Sequence, residues 1–181
     1  MSTPRIDLGE MPDARRMRTV DELVVRAPIE HAYAVAADVE RWPAHLPHYR
    51  YVRFDERHGD GGGIVQMSAN RPFGPLDWPT WWRSLMQLHP PGGGRAPAIR
   101  FRHVDGITTG MDVEWSFAPV AGGVHVRIVH LWDGPRWPLI RTIAAVGVIG
   151  PVFVHGIASR TLAGLARAME RGAADAGDVG R

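Results

Sequence analysis

Two histidines lie on segments whose alternation turns them toward an apolar surface. In Val124–Asp133 the side chains of Val126, Ile128, His130 and Trp132 share one face, and Arg127, Val129 and Leu131 share the other. The face without Arg127 is the better inner one, so His130 is expected within an otherwise apolar wall. On Ile99–Val104, Ile99, Phe101 and His103 alternate with Arg100 and Arg102, which turns His103 inward as well. An imidazole titrates near neutral pH and can take and return a proton, so this pattern suits general acid–base work. A core histidine satisfied by a neighbouring hydrogen bond leaves the same trace.

Other chemistries find less support. The chain has no cysteine, which excludes thiol nucleophiles, disulfides, thiolate zinc sites and iron–sulfur clusters. All 21 basic residues are arginine, so Schiff-base lysines and a P-loop lysine are excluded. His45-x-x-His48 sits in a proline-containing loop without an acidic third ligand, and no HExxH motif occurs, so no metal is expected. Gly61–Gly63 and Gly92–Gly94 lack the strand-to-helix setting of a phosphate cradle and read as turns. No nucleophile elbow and no cofactor motif is present. Asp112 and Glu114 share a face opposite Trp115 and are expected to be solvated.

The 181 residues fit one domain, and an apolar share of 45% with 22% charged residues is that of a soluble globular chain. The formal net charge is only +2, and the arginines form no stripe interleaved with aromatics, so no nucleic-acid partner is expected. No signal peptide is visible, which points to the cytoplasm. Thr142–Ser159 carries no formal charge but contains Gly147, Gly150 and Pro151. It reads as a buried or membrane-touching helix rather than a span.

Arg18–Ala27 reads as a strand and Pro28–Val39 as a helix ended by Trp42-Pro43, with a second short turn at Leu46-Pro47. Five further strands are expected over Tyr49–Asp55, Ile64–Asn70, Thr80–His89, Ile99–Val104 and Met111–Ala118, then a last over Val124–Asp133. Arg71–Pro79, with three prolines, reads as a long loop. Leu139–Val146 and Pro151–Arg171 show helical spacing, with a break at Pro151. The fold class is therefore α+β, a seven-stranded antiparallel sheet around a long C-terminal helix. Residues 1–18 are expected as a flexible extension, 19–171 as the domain and 172–181 as a disordered tail. A sheet curved around one helix leaves an elongated apolar cavity.

This order resembles the helix-grip fold of the START-like (SRPBCC) superfamily. Ala27–Tyr33 (APIEHAY) followed by Asp38–Pro43 (DVERWP) closely resembles the opening of its polyketide cyclase/dehydrase branch, which also includes coenzyme-Q-binding lipid proteins. Val113–Phe117 (VEWSF), with Gly122-Gly123 and a strand after it, is a second match, and the resemblance covers about residues 20–171. It implies that Trp42 and Tyr49 line the cavity and that Trp82 or Trp81 is the family's central-strand tryptophan. The family's catalytic arginine follows that tryptophan by four residues. Counted from Trp82 the position holds Met86, and Arg83 is the nearest arginine. Alternation turns Arg83 away from Trp82 and Ser84 unless a bulge or a register slip brings it inward.

The resulting expectation is a protein that binds a hydrophobic small molecule, a polyketide, quinone or lipid. Tyr49, His130 and Arg83 are the catalytic candidates. Trp42, Trp82, Ser84, Met86, Phe101, His103, Ile128 and Trp132 are the binding candidates. As an enzyme it is a polyketide cyclase/dehydratase; as a carrier it moves a quinone, lipid or pigment and touches a membrane through 142–159. Of seven tryptophans, Trp115 reads as core packing, and the outward member of the Trp81–Trp82 pair as mouth-lining or membrane-contacting.

Overall fold

The computed structural model describes residues 6–13, 15–73, 76–134 and 155–178. Strand β1 (Met17–Val25) is followed by helix α1 (Ile29–Ala37), a 3₁₀ turn (Val39–Arg41) and the one-turn helix α2 (Trp42–His45). Six strands follow: β2 (Tyr49–Arg57), β3 (Gly63–Phe73), β4 (Leu76–His89), β5 (Ala98–Gly106), β6 (Asp112–Val120) and β7 (Gly123–Trp132). Helix α3 (His155–Asp178) ends the described chain. The strands form one antiparallel sheet in the order β1-β7-β6-β5-β4-β3-β2. Each neighbour after the first pair is joined by a hairpin, and β1 closes on β7 at the far edge. This is the helix-grip arrangement expected.

Local chemistry explains the elements. Pro28, extended at φ −61°, precedes α1 and its carbonyl accepts from Ala32 N at 2.9 Å. Ala32, Tyr33 and Ala36 form the buried stripe of α1, and small alanines let it lie close to the sheet. Helix α3 buries Ala158, Leu162, Leu165, Ala166 and Met169 and exposes Arg160, Arg167 and Glu170. It packs on β1 and α1. The helix runs past Gly172 to Asp178, further than the tail boundary read from sequence.

Two expectations change. Arg71–Pro79 is not a long loop: β3 and β4 pair through Phe73↔Leu76, so Pro72 and Pro79 lie on paired strands. Pairing of β2 with β3 begins at Ala69, and pairing of β4 with β5 ends at Trp82. Beyond those points each ribbon strand has one open edge, where a missing proline N–H removes no ladder bond. Second, residues 6–13 lie along the outer face of the sheet. Leu8 is buried, its N–H donates to Gln87 Oε1 at 3.2 Å, and its carbonyl accepts from Arg102 at 3.3 Å. Arg100 donates to the Gly9 carbonyl. Under this segment Asp112 is buried and bound by Arg102 at 2.8 Å, so it is not solvated. The segment Leu139–Val146 and most of Thr142–Ser159 fall outside the described residues, as does Trp137.

Candidate ligand-binding site

A cavity lies inside the sheet's concave face, closed below by α3. Its wall is aromatic. Trp42 from α2 contacts Tyr49 (ring centroids 5.5 Å), Trp115 (5.5 Å) and Phe101 (6.3 Å), and Tyr49 reaches Trp82 at 6.1 Å. The Trp42 indole N–H donates to Ala36 O at 3.1 Å, which fixes that ring by the end of α1. Met67, Met111, Val113 and Ile128 fill the wall between the rings, and Ile157, Ala158 and Thr161 of α3 form the floor. The space open to the centre of a water-sized sphere is about 60 Å³. That is small beside the roughly 300–1,000 Å³ of a typical small-molecule pocket. A multi-ring ligand therefore enters only with movement of these side chains.

The polar groups of the wall are held in place. His103 stacks on Trp82 at 5.9 Å, and its Nδ1 lies 2.7 Å from the buried Thr108 hydroxyl. His130 opposes Thr19 across the β1–β7 ladder, with Nδ1 3.4 Å from Thr19 Oγ1. His48, half-buried beside Tyr49, lies 3.1 Å from Thr161 Oγ1 through its Nε2. Burial, with the nearby Arg160 charge, holds the His48 imidazole below its ordinary value, so the neutral ring is favoured.

Of the residues expected here, Trp42, Tyr49, Trp82, Phe101, His103, Ile128 and His130 line the one cavity. Ser84 and Met86 share the inner face with Trp82 and are fully buried in the core, but they do not reach the cavity wall. Trp132 is buried too; its indole donates to Thr109 O at 3.0 Å and anchors the β5–β6 turn. Arg83 lies on the outer face, its Nε 2.8 Å from Asp55 Oδ2. A bulge does occur beside it, between Arg83 and Ser84 in the β4–β5 register. The extra residue is on β5: Arg83 pairs with Asp105 and Ser84 with His103, so Val104 is unmatched and β4 keeps its alternation. The slip that would turn Arg83 inward is absent.

Trp115, read as packing, lines the cavity, as do Met67, Val113, Thr108 and Thr161. Alternation along Val113–Phe117 carried the signal for Trp115 and Val113. Nothing local marks Thr108, which reaches His103 because a turn folds back on β5: Gly110 N donates to His103 O at 2.8 Å. Trp81 is exposed on the outer face. Among the described residues no three His, Asp or Glu side chains gather as a metal site. Among them, too, no helix is long and apolar enough to cross a membrane.

A seven-stranded sheet gripping one long helix over an aromatic cavity defines the START-like class. Solved structures share the fold. An aromatase/cyclase from Streptomyces sp. R1128 superposes with a TM-score of 0.71 at 18% identity, over 85% of this chain and 93% of that one. A protein from Thermus thermophilus gives 0.69 at 17% identity, over 84% and 96%. A START superfamily protein from Mycobacterium smegmatis gives 0.60 at 17% identity, over 88% and 98%. The family model for polyketide cyclase/dehydrase and lipid transport matches residues 25–150, and the chain belongs to that family.

Proposed function

We propose that the chain binds a hydrophobic, carbonyl-bearing small molecule in this cavity and acts on it as a cyclase/dehydratase. The observation that carries the reading is the meeting of His103, His130 and Tyr49 on one aromatic wall. Each imidazole has one nitrogen set against a threonine hydroxyl, which orients the ring as a proton-transfer group needs.

The chemistry needs no cofactor. An imidazole removes a proton from the methylene between two carbonyls. The resulting enolate carbon bonds to a second carbonyl carbon of the same chain. The alkoxide so formed takes a proton from Tyr49 or from a protonated imidazole. Loss of a second α-proton to the base, with protonation of the hydroxyl, expels water and leaves a double bond. The aromatic wall holds the chain folded so that the two carbons meet, which supplies much of the rate.

A carrier of a quinone, lipid or pigment is the second reading, favoured by the outward Arg83, which leaves the wall without a cation from β4. Peripheral membrane contact belongs to that reading. Native mass spectrometry of the purified protein, followed by organic extraction, separates the two. An empty protein that turns over a polyketide chain, with products altered by Tyr49→Phe and His130→Ala, is the expected result. A tightly held quinone or lipid near one per chain, with both variants silent, overturns the catalytic assignment.

A further inference from the structure

A second concavity lies outside the cavity, between α2 with its following loop and the outer flank of α3. Arg160 and Arg167 stand on one wall, and His45 and His48 on the other. The arginines are seven residues apart on one helix. By helical geometry they share a face about 10.5 Å apart along the axis, within reach of one anion between them. Ala163 and Gly164 form the low floor between them. A Cβ at Gly164 would run into the Leu46 side chain, so glycine there lets the α2 loop settle onto the helix and shape the trough.

The charge in this groove is one-sided. Among the described residues no acidic side chain lines it. Among them, too, neither arginine has an ion-pair partner. The nearest acid along the helix, Glu170, is engaged by the Arg26 N–H at 3.1 Å. Two guanidinium forks over a small-residue floor, faced by two imidazoles, are complementary to a compact multivalent oxyanion. A carboxylate offers two oxygens and one charge and suits a single fork, whereas a phosphate ester offers three oxygens and up to two charges.

We propose that this groove between α2 and α3 is a binding site for a phosphate ester, clasped by Arg160 and Arg167 with His45 and His48 on the facing wall. The site does not depend on what occupies the cavity. The two spaces meet at His48, which walls the groove and touches Thr161 and Tyr49 of the cavity wall.

The test is a titration of the full chain with inorganic phosphate and with glycerol 3-phosphate, followed by NMR at the groove amides and the two imidazoles. A saturable shift confined to the groove is expected, weaker at higher salt. The Arg160→Gln/Arg167→Gln variant should keep the melting temperature, both side chains being exposed, and bind at least about tenfold more weakly. Acetate should leave the signals in place. If soluble phosphates do nothing but phosphatidic-acid vesicles retain the wild type and release the variant, the phosphate is that of a lipid headgroup and the site stands. Silence toward both phosphates and vesicles, an equal response to acetate, or a response kept by the double variant overturns the proposal.

Discussion

The Thr108 hydroxyl lies 2.7 Å from Nδ1 of His103, joining a turn residue to the cavity wall. Both side chains are buried. Thr108→Val keeps the shape and removes the hydrogen-bonding group, leaving a buried ring nitrogen short of that partner. The expected loss is about 1–3 kcal/mol of stability. Urea denaturation checks it, and imidazole ¹⁵N shifts should report a changed tautomer balance for His103. A variant as stable as wild type, with unchanged shifts, would show that the hydroxyl does not hold the ring.

Gly106 makes the bulge beside Trp82 possible. It sits at φ +93°, and a Cβ there would come 2.5 Å from the Trp81 carbonyl oxygen and 2.9 Å from Trp82 Cα. Backbone cannot yield as a flexible side chain does. Gly106→Ala should cost at least about 2 kcal/mol, from the strained conformation plus the clash. Because the bulge sets the pairing of His103 with Ser84, the variant should also disturb the Trp82–His103 stack. Near-UV circular dichroism reads that change; an intact aromatic signal and an unchanged melt would contradict it.

The docked N-terminal segment gives a third expectation. Leu8 is its buried apolar anchor, with polar contacts to Gln87, Arg100 and Arg102, and Arg15 just beyond it meets Asp133. Leu8→Ala should destabilise by about 2 kcal/mol, the low end for a buried leucine, because this site is shallow. Removal of residues 1–13 should uncover Arg100 and Asp112 and speed hydrogen exchange in β5 and β6. Unchanged exchange in those strands would mean that the segment does not shield them.

His48 sets a pH dependence. Its folded-state value is lowered from 6.5, by burial first and by Arg160 second. The unfolded chain therefore takes up a proton that the folded chain refuses. Stability is retained above about pH 6.5 and is lost as pH falls from there toward the folded value. His48→Gln keeps a hydrogen-bonding group for Thr161 and removes the titration. Its stability should be flatter below pH 6.5 than that of wild type; parallel curves would assign the slope to other groups.

Much of this fold is legible because each element carries one clear period. The alternation along Val113–Phe117 and Val126–Trp132 sets the inner face, and the structure keeps it. The hairpin across residues 71–79 is hidden because proline punctuates a sequence the same way in a loop and on an open strand edge. The docked 6–13 segment is hidden for another reason. One buried leucine and main-chain bonds to distant arginines leave no local pattern. For the site, periodicity finds the wall residues on strands. It does not rank them by depth: Ser84 and Met86 face inward like Trp82 and still stop short of the cavity.

Arg83 offers the sharpest contrast between a position next to the site and a position in it. It adjoins Trp82 in sequence, yet its guanidinium meets Asp55 on the outer face at 2.8 Å. Both side chains are more than a quarter exposed, so the pair is worth only about 0.5–1 kcal/mol after solvent screening. Arg83→Gln should therefore shift the melt slightly. It should leave the cavity's tryptophan emission, and its response to a bound hydrophobic probe such as an anilinonaphthalene sulfonate dye, as in wild type. Tyr49→Phe and His130→Ala should change the probe's affinity, because those side chains line the cavity. If Arg83→Gln weakens probe binding as much as the cavity variants while Asp55→Asn does not, the arginine reaches the ligand in solution. The outward placement would then describe only the empty protein. Equal, small effects of Arg83→Gln and Asp55→Asn on stability alone would tie both residues to the outer sheet face and leave proton transfer to the imidazoles and Tyr49.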